Sequence, residues 1–156
     1  MKIELTDSDE TELLGAALSK VLPPKCLVFL CGDLGAGKTT LMRGLLCAMG
    51  HNGAVKSPTY SLVEEYRFAD RSVFHFDLYR LKDPEELEWL GFNDYLQQRA
   101  LVCVEWPQMG AGYLPAADLE IKLDYQNSGR SIEINILEES LKNTLIIHWK
   151  NNDMLL

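Results

Sequence analysis

Gly32-Asp33-Leu34-Gly35-Ala36-Gly37-Lys38-Thr39 fills every fixed position of the phosphate-loop pattern G-x-x-x-x-G-K-[ST]. Each residue type answers a chemical need. Glycines let the backbone curl so that successive N–H groups point at phosphate oxygens. Lys38 supplies a positive charge for the β- and γ-phosphates of a nucleotide, and the Thr39 hydroxyl is a ligand for the Mg²⁺ that accompanies them. The flanks agree. Residues 26–31, Cys-Leu-Val-Phe-Leu-Cys, form a continuous apolar run, the pattern of a strand buried on both faces. Leu41, Met42, Leu45, Leu46 and Met49 follow at helical spacing. Strand, glycine loop and helix in that order put phosphates on a helix N-terminus. A chance glycine turn between a core strand and a core helix would not be expected to fill all of these positions.

Two carboxylates compete for a place beside that metal. Residues 72–80 alternate, with Phe74, Phe76 and Leu78 on one face and His75, Asp77 and Tyr79 on the other. Asp77, near the end of an apolar strand, resembles a Walker B acid, the residue that brings a carboxylate to Mg²⁺. The same pattern fits a half-exposed hairpin strand with a polar side, and His75 is the weaker candidate of the two. Residues 101–107, Leu-Val-Cys-Val-Glu-Trp-Pro, form a second apolar run ending in an acid, and Pro107 stops it there. A carboxylate at the end of such a strand is costly unless it meets water, a partner or a metal. The carboxyl ends of parallel strands form the ligand edge of a sheet. A functional Glu105 is therefore favoured over a merely solvated one. Between the first helix and these strands lies Val55-Lys56-Ser57-Pro58-Thr59-Tyr60, a loop with extended character because Pro58 restrains the residue before it. Thr59 fits a mobile segment that senses a γ-phosphate, and an ordinary turn threonine is the competing reading.

The elements that must position these groups can be read in order. Residues 1–5 alternate as an edge strand. Thr6 to Thr11 offers several N-caps for a helix carrying Leu13, Leu14, Ala17, Leu18 and Val21, which ends before Pro23-Pro24. Its acidic first turn suits the helix dipole. Residues 61–68 read as a strand and 69–71 as a tight turn. Asp83-Pro84-Glu85-Glu86 starts a helix through Leu87 and Leu90 that breaks at Gly91. A second short helix covers 93–98. Residues 118–125 and 130–137 form an antiparallel hairpin across Gln126-Asn127-Ser128-Gly129. Arg130, beside that turn, has the ordinary reading of a solvated charge. The tail from 138 to 156 fits helix and strand equally around Leu145-Ile146-Ile147.

The bulk properties narrow the function. A chain of 156 residues is expected to form one domain, 1–156, with a substantial core. Its net charge of −8, with no basic cluster, disfavours direct, tight binding of tRNA or DNA. Cys26, Cys31, Cys47 and Cys103 lie in apolar patterns without a C-x-x-C pair, which suggests reduced core thiols rather than a metal site. The acidic N-terminus lacks a signal-peptide apolar core, and no run approaches the ~20 apolar residues that span a bilayer. A cytoplasmic protein without a membrane partner is expected.

Four motifs together, Gly32 to Thr40, Ser57-Pro58-Thr59-Tyr60, His75-Phe76-Asp77-Leu78-Tyr79-Arg80 and Val104-Glu105-Trp106-Pro107, resemble the bacterial TsaE (YjeE) family. Those proteins are small ATPases of tRNA threonylcarbamoyladenosine biosynthesis. The first motif is common to many NTPases, while the other three in this order and spacing are specific. The likeness covers nearly the whole chain and weakens after Leu137. It implies a P-loop NTPase-like three-layer α/β/α fold, with a central mostly parallel sheet and antiparallel edge strands. It also implies an ATP/ADP and Mg²⁺ site on Gly35, Ala36, Gly37, Lys38, Thr39 and Thr40, with Thr39 and Glu105 as metal ligands. Lys38, Thr59 and Asp77 match residues needed for activity: Thr59 for sensing γ-phosphate or Mg²⁺, Asp77 for orienting water or metal. Trp106 would sit beside the nucleotide and Arg130 would reach it. The implied partners are TsaD and TsaB, which together modify the tRNA adenosine next to the anticodon in tRNAs reading codons that start with A. This chain would meet tRNA only through them and would supply ATP-driven turnover. A small-molecule P-loop kinase is an alternative, but no arginine-rich lid is present and the chain leaves little room for a second pocket. A regulatory GTPase lacks its N-K-x-D motif. A nucleotide-gated binding module with negligible turnover overlaps the main expectation.

Overall fold

The structure, a computed structural model, describes residues 1–153. In chain order the elements are β1 (Lys2–Leu5), α1 (Ser8–Val21), β2 (Cys26–Cys31), α2 (Lys38–Ala48), β3 (Val63–Arg67) and β4 (Ser72–Asp77), followed by α3 (Glu86–Trp89), α4 (Phe92–Gln97) and β5 (Ala100–Glu105). A 3-10 turn, Pro107–Gly110, then leads to β6 (Leu119–Gln126), β7 (Gly129–Ile136) and α5 (Glu139–Asp153). The seven strands form one sheet in the order β1-β7-β6-β2-β5-β4-β3. β2 runs parallel to β5 and β6, and β4 parallel to β5, whereas β1, β3 and β7 pair antiparallel. The continuously apolar strands β2 and β5 occupy the middle, where both faces are covered. β6 and β7 alternate instead, with Ile121, Leu123, Ile132 and Ile134 turned to the core.

Helices cover both faces. Val28, Leu30, Leu101 and Cys103 pack beneath α1 and α2. On the opposite face, Leu27, Phe74, Phe76, Val102 and Val104 pack with Leu87 of α3 and Phe92 of α4. This is the three-layer α/β/α arrangement expected from the sequence. The α1–α2 contact brings backbone against backbone: a Cβ on Gly44 would collide with the Glu12 carbonyl, and one on Gly15 with the Leu41 carbonyl. Of the several candidate caps for α1, Asp7 takes the role, accepting the Glu10 N–H at 2.9 Å. At the other end, the buried Arg71 donates to the carbonyls of Ser19, Leu22 and Pro23, so the tight turn after β3 also closes α1.

Three readings of the sequence need correction, and one left open is decided. The helix begun at Asp83-Pro84 does break at Gly91, which at φ 72° starts α4, but it is only one turn, Glu86–Trp89, because residues 83–85 open it as turns bonded from Glu86 N–H to the Asp83 carbonyl and from Leu87 N–H to the Pro84 carbonyl. The ambiguous tail is helical through Asp153, with Leu145 buried in the core beside α1; residues 154–156 lie outside the described residues. The cysteines do not form one class: Cys26 and Cys103 are buried, Cys31 is half-buried and Cys47 is exposed on α2. Burial pushes the Cys26 thiol up to about 12 and raises Cys103 as well. Finally, the polar side of β4 is not half-exposed, because His75 and Asp77 lie under the α2 side of the sheet, 0 % and 4 % exposed. Among the described residues no helix is long and apolar enough to cross a membrane.

Candidate nucleotide site

The glycine loop leaves the carboxyl end of the central strand β2 and turns into α2. Gly37 caps that helix at φ 109°, and a Cβ there would lie 2.5 Å from Arg130 Nε. The positive φ is what calls for glycine here, and a side chain would in addition displace the Arg130 guanidinium from the loop. The first bond of α2 runs from Leu41 N–H to Gly37 carbonyl. The N–H groups of Lys38, Thr39 and Thr40 therefore have no acceptor inside the helix and form its anion-attracting end.

Lys38, 5 % exposed, is held by three neighbours. Its Nζ donates to Gly32 carbonyl at 2.6 Å, lies 3.8 Å from Glu105 Oε1 and stands 4.3 Å from the centre of the Trp106 ring. Trp106 itself adopts φ 55°, ψ 50°, a left-handed conformation costing a non-glycine residue roughly 1–2 kcal/mol. That turn directs the chain out of β5 and sets the ring over the lysine. On the other side, the β6–β7 hairpin reaches the loop. Tyr125 and Arg130 are opposite each other in its register. The Tyr125 hydroxyl donates to the Gly35 carbonyl, the Arg130 guanidinium stands 4.8 Å from the Tyr125 ring, and Arg130 Nε is buried without a hydrogen-bond partner among the described residues.

The two competing carboxylates are neighbours, since Asp77 and Glu105 are register partners at the ends of the parallel strands β4 and β5. Each has its own supports. Glu105, 2 % exposed, lies with Oε2 2.8 Å from His75 Nε2, while Oε1 accepts no hydrogen bond among the described residues and faces Lys38 Nζ at 3.8 Å. Asp77 accepts from the Ser57 hydroxyl at 2.9 Å and the Tyr79 N–H at 2.9 Å. Thr59 donates to Ser57 at 3.3 Å, so the 55–60 loop hangs on Asp77 through two hydroxyls. Buried carboxylates at one strand edge favour a cation between them and the loop.

An open cleft of about 290 Å³ collects these groups. Gly35, Gly37, Lys38, Thr39, Thr40, Thr59, Asp77, Glu105, Trp106 and Arg130 all line it. Ala36 does not: its methyl is buried in the core and its N–H is bonded to the Asp33 carbonyl at 3.1 Å. Ser57, Tyr79 and Tyr125 join the site without having been singled out. Ser57 stands two residues before Thr59, and Tyr79 shares the alternating face of Asp77, so both carried a signal. Tyr125 carried none, because only the hairpin register brings it to the loop. Chemically, the cleft offers N–H groups and two cations for an anion, with the Thr39 hydroxyl and the Glu105 carboxylate as hard oxygen donors for a divalent metal.

A glycine loop joining a central parallel strand to a helix, with acids at the adjacent strand ends, defines an α/β protein of P-loop-like fold. The solved structure of YdiB from Bacillus subtilis has the same fold, with a TM-score of 0.79 over 98 % of this chain and 95 % of that one, at 24 % identity. The chain belongs to the TsaE family: the family described as threonylcarbamoyl adenosine biosynthesis protein TsaE matches residues 5–132. Its relatives include the Haemophilus influenzae tRNA threonylcarbamoyladenosine biosynthesis protein TsaE, 50 % identical over 80 % of this chain and 78 % of that protein. The protein of the same name from Rickettsia conorii is 36 % identical over 91 % of this chain and 83 % of its own length, and that from Synechocystis 39 % over 69 % and 71 %.

Proposed function

We propose that the cleft binds ATP with Mg²⁺ and hydrolyses it slowly, serving tRNA threonylcarbamoyladenosine biosynthesis through TsaD and TsaB. The pathway follows from family membership. The observation that carries the nucleotide reading is the convergence on one cleft of the N-terminal N–H groups of α2, the Lys38 and Arg130 cations, and the carboxylates of Asp77 and Glu105, with Arg130 Nε buried and without an acceptor among the described residues. Buried polar atoms are normally paired, which fits Arg130 to an anion, while Glu105 Oε1, turned to Lys38 and the cleft, is free to take a cation.

Position in the cleft supports a role for each residue. The N–H groups of Lys38, Thr39 and Thr40 hold phosphate oxygens, and Lys38 exchanges its Gly32 and Glu105 neighbours for the β- and γ-phosphates. The Thr39 hydroxyl and Glu105 hold Mg²⁺, which when bound neutralises charge on those phosphates. Asp77 orients the attacking water. Thr59, tied to Asp77 through Ser57, reports the γ-phosphate to the 55–60 loop. That tie also favours a gating role, in which loop closure over ATP switches the partner complex. Trp106 and Arg130 bound the nucleotide on opposite sides. A chain of net charge −8 has no need to hold tRNA itself.

Glu105→Gln, nearly the same shape without the charge, tests the metal role. It should bind nucleotide yet lose Mg²⁺-dependent hydrolysis by about 10²-fold or more, the usual scale for an electrostatic catalytic group. Unchanged turnover would return the metal to Asp77.

A further inference from the structure

We propose that His75 is a positioning residue for Glu105. Its Nε2–H ties one carboxylate oxygen into the sheet, so that the other stays turned toward the cleft for the divalent cation that accompanies the nucleotide. The inference rests on the nucleotide and Mg²⁺ reading above and goes beyond it by naming what aims the carboxylate.

Three observations carry it. His75 is fully buried, in a strand paired on both sides, opposite Glu64 of β3 and Cys103 of β5. Phe74 and Phe76 on either side of it are packed into the opposite face, so the ring direction is fixed by the pleat. Second, its 2.8 Å contact is the one side-chain hydrogen bond made to Glu105 among the described residues, because Lys38 stands beyond hydrogen-bond range at 3.8 Å. The two carboxylate oxygens are thereby divided, Oε2 to the histidine and Oε1 to the lysine and the cleft. Third, His75 Nδ1 is buried without a partner among the described residues. Of the two neutral tautomers, one puts the proton on Nε2, where a carboxylate receives it, and leaves a bare lone pair in apolar surroundings. The other buries an unmatched N–H and sets a lone pair against a carboxylate. The surroundings therefore select the Nε2–H form. An apolar side chain would fill the same core position at no desolvation cost, so a histidine here calls for a polar task. Fixing a metal-binding carboxylate through its second oxygen is such a task.

The test compares wild type, His75→Leu and His75→Gln, whose amide nitrogen can occupy the Nε2 position. Calorimetric titration with ADP at stepped Mg²⁺ concentrations separates the two affinities. His75→Leu should raise the Mg²⁺ concentration for half effect by about tenfold or more, the usual cost of losing a group behind a metal ligand, while affinity for ADP without Mg²⁺ changes little. His75→Gln should recover most of the Mg²⁺ response. An unchanged Mg²⁺ requirement in folded His75→Leu would overturn the assignment. So would equal losses in both variants with and without Mg²⁺, the mark of a general packing role. Should His75→Leu not fold, the ¹H–¹⁵N spectrum of the wild-type ring decides: an Nε2–H tautomer whose signals move when Mg²⁺ is added to the ADP complex supports the tie, and an Nδ1–H tautomer or unmoved signals overturn it. Wild type that binds no nucleotide would overturn the nucleotide reading itself, and this inference with it.

Discussion

Lys38 has its charge spread over a carbonyl, a carboxylate and an aromatic face, a set of contacts a phosphate can replace. Lys38→Ala should therefore weaken ATP binding roughly ten- to hundredfold, from about 1.5–3 kcal/mol for a charged hydrogen bond, as calorimetry would read; an unchanged affinity would remove the phosphate role from the glycine loop. The lysine also sits over Trp106, so drawing it toward phosphate changes that ring's surroundings. Nucleotide should shift the intrinsic fluorescence, and Trp106→Phe should abolish the shift while the exposed Trp89 keeps its emission. A shift that survives in Trp106→Phe would contradict the placement. The loop was readable from sequence because its chemistry is local: every fixed residue lies within eight positions. The acids were only half readable. Alternation put His75 and Asp77 on one face, but could not say that this face is covered by α2, nor that β4 and β5 bring Asp77 and Glu105 side by side.

Elements position these residues through a few close contacts. The helix that presents Lys38 and Thr39 is pressed onto α1 at Gly15 and Gly44, where any side chain meets a backbone carbonyl. Gly44→Val should destabilise the fold by about 1–3 kcal/mol, the usual range for overpacking, seen as a lower urea midpoint with the slope unchanged. A variant as stable as wild type would mean the helices slide apart freely. The thiols report on the same layer. Labelling of the native protein with a maleimide should modify Cys47, which is exposed, and spare Cys26 and Cys103, which are buried and whose thiolates burial disfavours. Rapid labelling of Cys103 would contradict a closed centre to the sheet. Strands and long helices were readable from period and caps. The length of α3 was not: the break at Gly91 was, but the strong start at Asp83-Pro84 opens as turns, leaving a single helical turn. The tail was undecided because Leu145-Ile146-Ile147 has no period of its own; its helix follows from packing Leu145 against α1.

For the molecule as a whole, strand order is what sequence withholds. Nothing in the chain states that β6 lies beside β2, or that Tyr125 and Arg130 therefore overhang the glycine loop. Charge, by contrast, is additive and fully readable. A protein of net charge −8 should show no measurable tRNA binding alone at about 0.15 M salt, where ordinary nucleic-acid contacts depend on released counterions. A filter-binding signal for the isolated protein would contradict that. The most direct measurement of the central claim is ATP hydrolysis by the pure protein, alone and with TsaD and TsaB, in the presence of Mg²⁺ and with Lys38→Ala as the blank. A slow rate that rises markedly when the partners are added, with the blank flat throughout, is the expected result. Equal rates with and without TsaD and TsaB would contradict a partner-driven ATPase, and a rate no different from the Lys38→Ala blank would contradict hydrolysis in this cleft.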